Sequence, residues 1–143
     1  MKGYFKPRNP HKYKGDLDNI VYRSSWELKA MAYFDQHTSI VKWSSEELII
    51  PYRSIIDGKL HRYFPDFWVK KLGTDGKLGI VVIEVKPYKE TVEPKKRKQM
   101  TKTYLNEVKT WGVNTSKWKA AVEYCKDRGW EFMIMTEYEL GIK

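Results

Sequence analysis

The sequence predicts one α/β domain, a central mixed sheet flanked by helices. Three observations carry that expectation. The run Ile80 to Ile83 in "GIVVIEVKP" is apolar at consecutive positions, as in a central strand covered on both faces. Helical spacing of apolar residues appears on either side of the strand block, in "YRSSWELKAMAYFDQH" and "SKWKAAVEYCKDRGW". Between them lie β-branched and aromatic runs separated by turn signals. A chain of 143 residues with 41% hydrophobic content is long enough to bury one core and short for two.

Taken in order, residues 1–18 are rich in Lys, Gly and Pro with interspersed Tyr and Phe, and read as a basic N-terminal arm ahead of a single domain over 19–143. The first helix places Trp26, Ala30, Tyr33 and Phe34 on one stripe, has Ser24 or Ser25 as N-cap, and ends near His37. "ELIIPYRS" and "KLHRYFPDFWVKK" then form antiparallel strands, joined through the turn signal Asp57-Gly58. Pro65 cannot donate to a ladder, so the chain bends there and Asp66 begins a new strand segment. A second turn, "GTDGKLG", leads into the central strand. "YKETVEPKKRKQMTK" follows as a charged loop or a poorly packed start of a helix, with a helical segment from about Met100 to Trp111. A further helix from Ser116 carries Trp118, Ala121, Val122 and Cys125 on its stripe and stops at Gly129, before a last strand "EFMIMTE". No internal repeat is present.

Lys and Arg number 27 against 18 Asp and Glu, a net charge of +9. So large an excess favours a polyanionic partner, of which nucleic acid is the commonest, with an acidic protein surface as the other reading. No run approaches the roughly 18 apolar residues of a membrane span, so a soluble protein without a membrane partner is expected. The N-terminus lacks the apolar segment of a signal peptide. Cys125 is the only cysteine, which excludes an internal disulfide and a cysteine-based zinc site and suits a reducing compartment.

The chemistry is concentrated where the central strand turns charged. Side chains alternate across a strand, so Ile80, Val82, Glu84 and Lys86 share one face and Val81, Ile83 and Val85 the other. A charged pair at the end of such a strand calls for a metal, a counterion or solvent. Asp66, heading the preceding strand, is the second carboxylate. Two carboxylates at one point repel unless a cation or a shared proton relieves them, and Mg²⁺ suits a pair that leaves room for water and phosphate. Lys86 would then stand beside a water and the phosphate under attack, the residue set of metal-assisted phosphodiester hydrolysis. A structural Asp66–Lys86 salt bridge or a solvated strand end accounts for the same residues without chemistry.

Pro65-Asp66 followed 18 residues later by Glu84-Val85-Lys86 resembles the PD-(D/E)xK motif of restriction-endonuclease-like nucleases. "YRSSWEL" is similar to the first-helix signature of the transposase A-subunit type within that superfamily, in which the helix glutamate, here Glu27, joins the active site. Ser24 with Glu27 is also a capping box, S-x-x-E, which needs no catalysis. Over most of its length, through "MKGYF", "NIVYRSSWELKAM", "IIPY", "HRYFPDFWVK", "IEVKP" and "RGWEFMIMTE", the chain resembles the head completion nucleases of T-even-like bacteriophages. That resemblance implies a restriction-endonuclease-like fold and a Mg²⁺-dependent DNA endonuclease with Glu27, Asp66, Glu84 and Lys86 as catalytic residues and Asp66 and Glu84 as metal ligands. It implies double-stranded DNA and the portal, neck and head proteins of a virion as partners. The protein would work in the host cytoplasm during assembly and in the head-neck region of the particle. A neck component that keeps the fold and holds DNA or portal subunits without cutting is the alternative, and a stand-alone repair or mobile-element nuclease a further one.

Arg23, Arg62 and the run Lys95, Lys96, Arg97 and Lys98 are candidate contacts to the DNA backbone, with Lys2, Lys6, Arg8, Lys12 and Lys14 of the arm. His61 is a weaker candidate. No helix shows a base-reading pattern, so little sequence specificity is expected. Trp26, Trp118 and Trp130 fit core positions, and Trp43, Trp68 and Trp111 suit either the core or a stacking surface.

Overall fold

A computed structural model describes residues 2–142. In chain order the elements are β1 (Gly3–Tyr4), β2 (Val21–Tyr22), α1 (Ser25–Gln36), β3 (Ile40–Ser45), β4 (Ile50–Arg53), β5 (Leu60–Tyr63), β6 (Phe67–Leu72), β7 (Leu78–Val85), α2 (Lys102–Asp127), β8 (Glu131–Met135) and α3 (Glu137–Leu140). The main sheet has the order β3-β6-β7-β8, antiparallel except for the parallel pair β7 and β8. It is the expected mixed sheet, with β7 central. The parallel pair is reached by a crossover through α2, as such pairs require.

The two faces of β7 feed two cores. Val81 and Ile83 pack with Phe67, Val69, Trp43 and the buried stripe of α1, Ala30, Met31 and Phe34. On the other side Phe132 and Ile134 of β8, which pair with Val82 and Glu84, pack against Trp118 and Ala121 of α2 and against Tyr52 and Tyr63 of the β4–β5 hairpin. Glu84 thus belongs to the α2 face.

Several boundaries differ from the sequence expectation, each for a local reason. No strand is expected over Ile40–Ser45, yet β3 forms the sheet edge there. A bulge between Ile40 and Lys42 breaks its alternation, and two buried serines, Ser44 and Ser45, obscure it further. The two expected helices over 100–129 are a single 26-residue helix. Gly112 and the polar residues after it read as a break, but Gly112 lies where a Cβ would stand 2.7 Å from the Ile56 side chain, and the hydroxyl of Ser116 donates to its carbonyl while accepting from Ile55 N–H. Close packing on the hairpin therefore holds the helix through this stretch. On α1, Met31 is in the core where Tyr33 was expected, and Tyr33 is half exposed; on α2, Val122 is likewise exposed.

Residues 3–13 lie on the body of the domain. β1 pairs with β2, and a short 3-10 turn at Pro10–Lys12 docks on the end of α1. There the buried Asp35 carboxylate accepts the backbone N–H groups of Arg8 and Asn9 at 2.9 and 3.0 Å. The Lys12 ammonium is buried, donating to the carbonyls of Asp35 and His37. Lys12 is therefore a structural cation, which corrects its placement among the DNA contacts. No helix among the described residues is long and apolar enough to cross a membrane.

Candidate active site

The site lies where β6 begins and β7 ends. Pro65 is buried and Phe67 pairs with Ile83, so Asp66 arrives beside the last residues of β7. Its Oδ2 accepts the Val85 N–H at 2.7 Å, which fixes the carboxylate against that strand. Glu84 is only 6% exposed and lies against Asp66. The Lys86 ammonium is 3.8 Å from Glu84 Oε2. The ion pair at this strand end is thus Glu84–Lys86, and Asp66 is left for another partner.

Glu27 comes from the first turn of α1. Ser24 is the N-cap: its hydroxyl accepts the Glu27 N–H and donates to the Glu27 carboxylate, both at 3.1 Å. This satisfies one helix-end donor and holds the carboxylate over the sheet end. Glu46 follows β3 directly, and its N–H donates to the Asp66 carbonyl at 3.1 Å. Ligand atoms of Glu27, Glu46 and Asp66 all fall within 4.8 Å of one another. Arg23 forms an ion pair with Glu46.

Such crowding changes proton affinities. Burial, and then the neighbouring Glu84 charge, raises Asp66 far above the ordinary carboxylate range. Burial and the Asp66 charge also raise Glu27. Glu27, Glu46, Asp66 and Glu84 together face two cations, Arg23 and Lys86, so with all four ionised the site is short of two positive charges.

A divalent cation would supply both. Oxygens sharing one cation can stand about 4.2 Å apart at most around Mg²⁺ and about 5.2 Å around Ca²⁺; those of Glu27, Glu46 and Asp66 lie within 4.8 Å of one another, so small side-chain shifts would close them on the smaller ion. Glu84 is not in that trio; it is coupled to it through Asp66. A further observation fits a cation at this sheet end. The Tyr63 hydroxyl, buried beside Glu84, has no hydrogen-bond partner, and its phenol is held far above its ordinary pKa by burial and the Glu84 and Asp66 charges. Buried polar groups without partners are uncommon and ask for a reason.

The four residues predicted as catalytic therefore converge, Glu27, Asp66 and Glu84 by proximity and Lys86 through Glu84. Glu46 and Tyr63 were missed. "SSEELII" reads as a solvated turn, and a strand tyrosine reads as core. Of the predicted DNA contacts, Arg23 stands at the rim of the acidic group. Lys95, Lys96, Arg97 and Lys98 are all exposed on the irregular segment between β7 and α2, where Arg97 pairs with Glu107 at 3.3 Å. Arg62 is exposed on β5, on the side opposite Tyr63. His61 is bound to Asp57 at 2.8 Å and stacks on Tyr52. Trp43 is fully buried, and Trp111 packs edge-on against Trp118, so both belong to the core.

Comparison with known proteins agrees with this geometry. The family described as "TnsA-like endonuclease N terminal" matches residues 37–137. The head completion nuclease of enterobacteria phage T4 is 42% identical over 139 residues, covering 94% of this chain and 90% of that protein. The mixed sheet between α1 and α2 is the restriction-endonuclease-like arrangement.

Proposed function

We propose that this chain, which belongs to the TnsA-like endonuclease family, is a Mg²⁺-dependent DNA endonuclease acting in phage head completion, where it processes the packaged DNA end at the portal before head and tail join. The observation that carries the chemistry is the convergence of Asp66, Glu84 and Glu27 on one sheet end with Lys86 beside them. The likeness to the T4 protein, through most of both chains, supports the setting.

Asp66 and Glu84 would hold the cation, with Glu27 completing its shell. When bound, it would supply an acidified water and neutralise charge at the scissile phosphate. The Val85 N–H keeps Asp66 from rotating out of the site. Lys86 has one loose ion pair at 3.8 Å, which leaves its ammonium free to orient the attacking water or to meet the negative charge that grows on the phosphate oxygens. Ser24 holds Glu27 to its helix cap, so that this carboxylate faces the sheet end without the rotamer freedom of a surface glutamate. Lys95, Lys96 and Lys98 would hold the duplex by its phosphates, as would Arg23 at the rim of the acidic group and Arg62 on the exposed side of β5. Such contacts position DNA without reading it.

The test is incubation of supercoiled and linear duplex DNA with the purified protein in Mg²⁺, in EDTA, and with Asp66→Asn. Cutting by the wild type only, and only with metal, is the expected result. A protein that binds DNA or portal subunits but cuts neither substrate in Mg²⁺ or Mn²⁺ is the neck component of the alternative reading.

A further inference from the structure

We propose that Glu46 is an additional carboxylate of the metal site and that Arg23 is its placeholder: the guanidinium holds Glu46 in the metal-free protein and passes to a DNA phosphate when a divalent cation takes Glu46 over. This rests on the nuclease reading above and adds two residues to it.

Glu46 is placed by backbone, not by chance contact. Ser45 ends β3 opposite Phe67, so the next residue leaves the sheet beside Asp66 and donates its N–H to the Asp66 carbonyl. Glu46 is also the sole non-glycine residue with positive φ, at 56°, among the described residues. L-residues adopt that conformation at a cost, and here it accompanies a carboxylate within 4.8 Å of Glu27 and Asp66 oxygens. An ion-pair anchor for Arg23 needs no such crowding. Beside Glu84 and Asp66, the Tyr63 hydroxyl, on a residue 3% exposed, has no hydrogen-bond partner, which independently points to a group bound at this sheet end.

Arg23 has the properties of a temporary occupant. It lies between β2 and the N-cap of α1, with its side chain 52% exposed and its charge felt by Glu46, Glu27 and Asp66 together. An exposed ion pair is weak, so exchange costs little. A guanidinium released here would be at the edge of the cleft, where its planar donor fork suits a phosphate.

Mn²⁺ titration of the full chain without DNA, following free Mn²⁺ by electron paramagnetic resonance, separates the possibilities in a double-mutant cycle. Arg23→Gln should bind Mn²⁺ about five-fold tighter than wild type, the cost of breaking one exposed pair being removed. Glu46→Gln should weaken binding about ten-fold in the Arg23→Gln background, from the loss of one charged ligand, and Arg23→Gln should then have almost no effect in the Glu46→Gln background. If Arg23→Gln tightens binding equally in both backgrounds, its effect is diffuse charge and the exchange is refuted. If Glu46→Gln changes nothing once Arg23 is gone, Glu46 is only an anchor and is no ligand. Loss of Mn²⁺ binding in Asp66→Asn shows in the same series that the nuclease reading survives either failure; no binding by wild type would overturn both.

Discussion

Asp35 offers a quantitative test of how residues 3–13 are held on the domain. It is 1% exposed at the last turn of α1, where a negative charge opposes the helix dipole. What keeps it there is the segment ahead of β2: two backbone N–H groups, from Arg8 and Asn9, donate to its carboxylate, and the Lys12 ammonium donates to its carbonyl. Asp35→Ala leaves both donors unpaired. Hydrogen bonds to a charged group contribute about 1.5 kcal/mol each, so the variant should lose about 3 kcal/mol. For a domain of this size that is a fall in Tm of about 6–12 °C. Asp35→Asn should cost nearly as much, because its amide sets an NH₂ group against one of the same N–H donors. Thermal unfolding followed by far-UV circular dichroism measures both. A fall of less than about 3 °C, or an Asn variant as stable as wild type, would show that the carboxylate does not anchor the segment.

Three further outcomes follow from the same structure. Cys125 is buried and its thiol is pushed up to about 11, so it should resist iodoacetamide at neutral pH until the protein unfolds, and rapid labelling of the native form would contradict the packing of α2. Replacing Lys95, Lys96 and Lys98 with Ala should weaken binding to any duplex sequence and lower the slope of log affinity against log salt by about 3; an unchanged slope would remove that segment from the interface. Asp66 and Glu27, both raised by burial and by a neighbouring carboxylate, hold protons more tightly folded than unfolded. Their contribution to metal-free stability is present below the ordinary carboxylate value near 4 and is lost as pH rises through the raised folded values. A cation competes with those protons, so the rise in Tm produced by Mn²⁺ should be larger at about pH 8 than at about pH 5, and an equal rise at both would contradict the placement of the ligands.

The elements nearest the chemistry were the most legible. β6 and β7 declare themselves through Pro65, the turn at Gly76 and a strand whose apolar face ends in Glu84 and Lys86, because those residue types are costly in any other place. α1 is announced by its cap and its stripe. What escaped is what only tertiary contact decides. The continuity of α2 across Gly112 depends on the hairpin residues Ile55 and Ile56, over fifty residues earlier in the chain. The docking of residues 8–12 depends on Asp35, which alone looks like a surface acid at a helix end. Glu46 is hidden in "SSEE", and only the backbone turn after β3 brings it to Asp66.

The most direct test of the account is the rate of DNA cleavage by Lys86→Ala at saturating Mg²⁺, with Mn²⁺ binding measured on the same sample. Lys86 pairs with Glu84, lies close enough for its charge to act on Asp66, and is not among the proposed ligands. The account predicts metal binding no weaker than wild type and cleavage slower by about 10²–10³-fold, the scale of removing one group that stabilises developing charge. Cleavage at the wild-type rate with metal bound would contradict it.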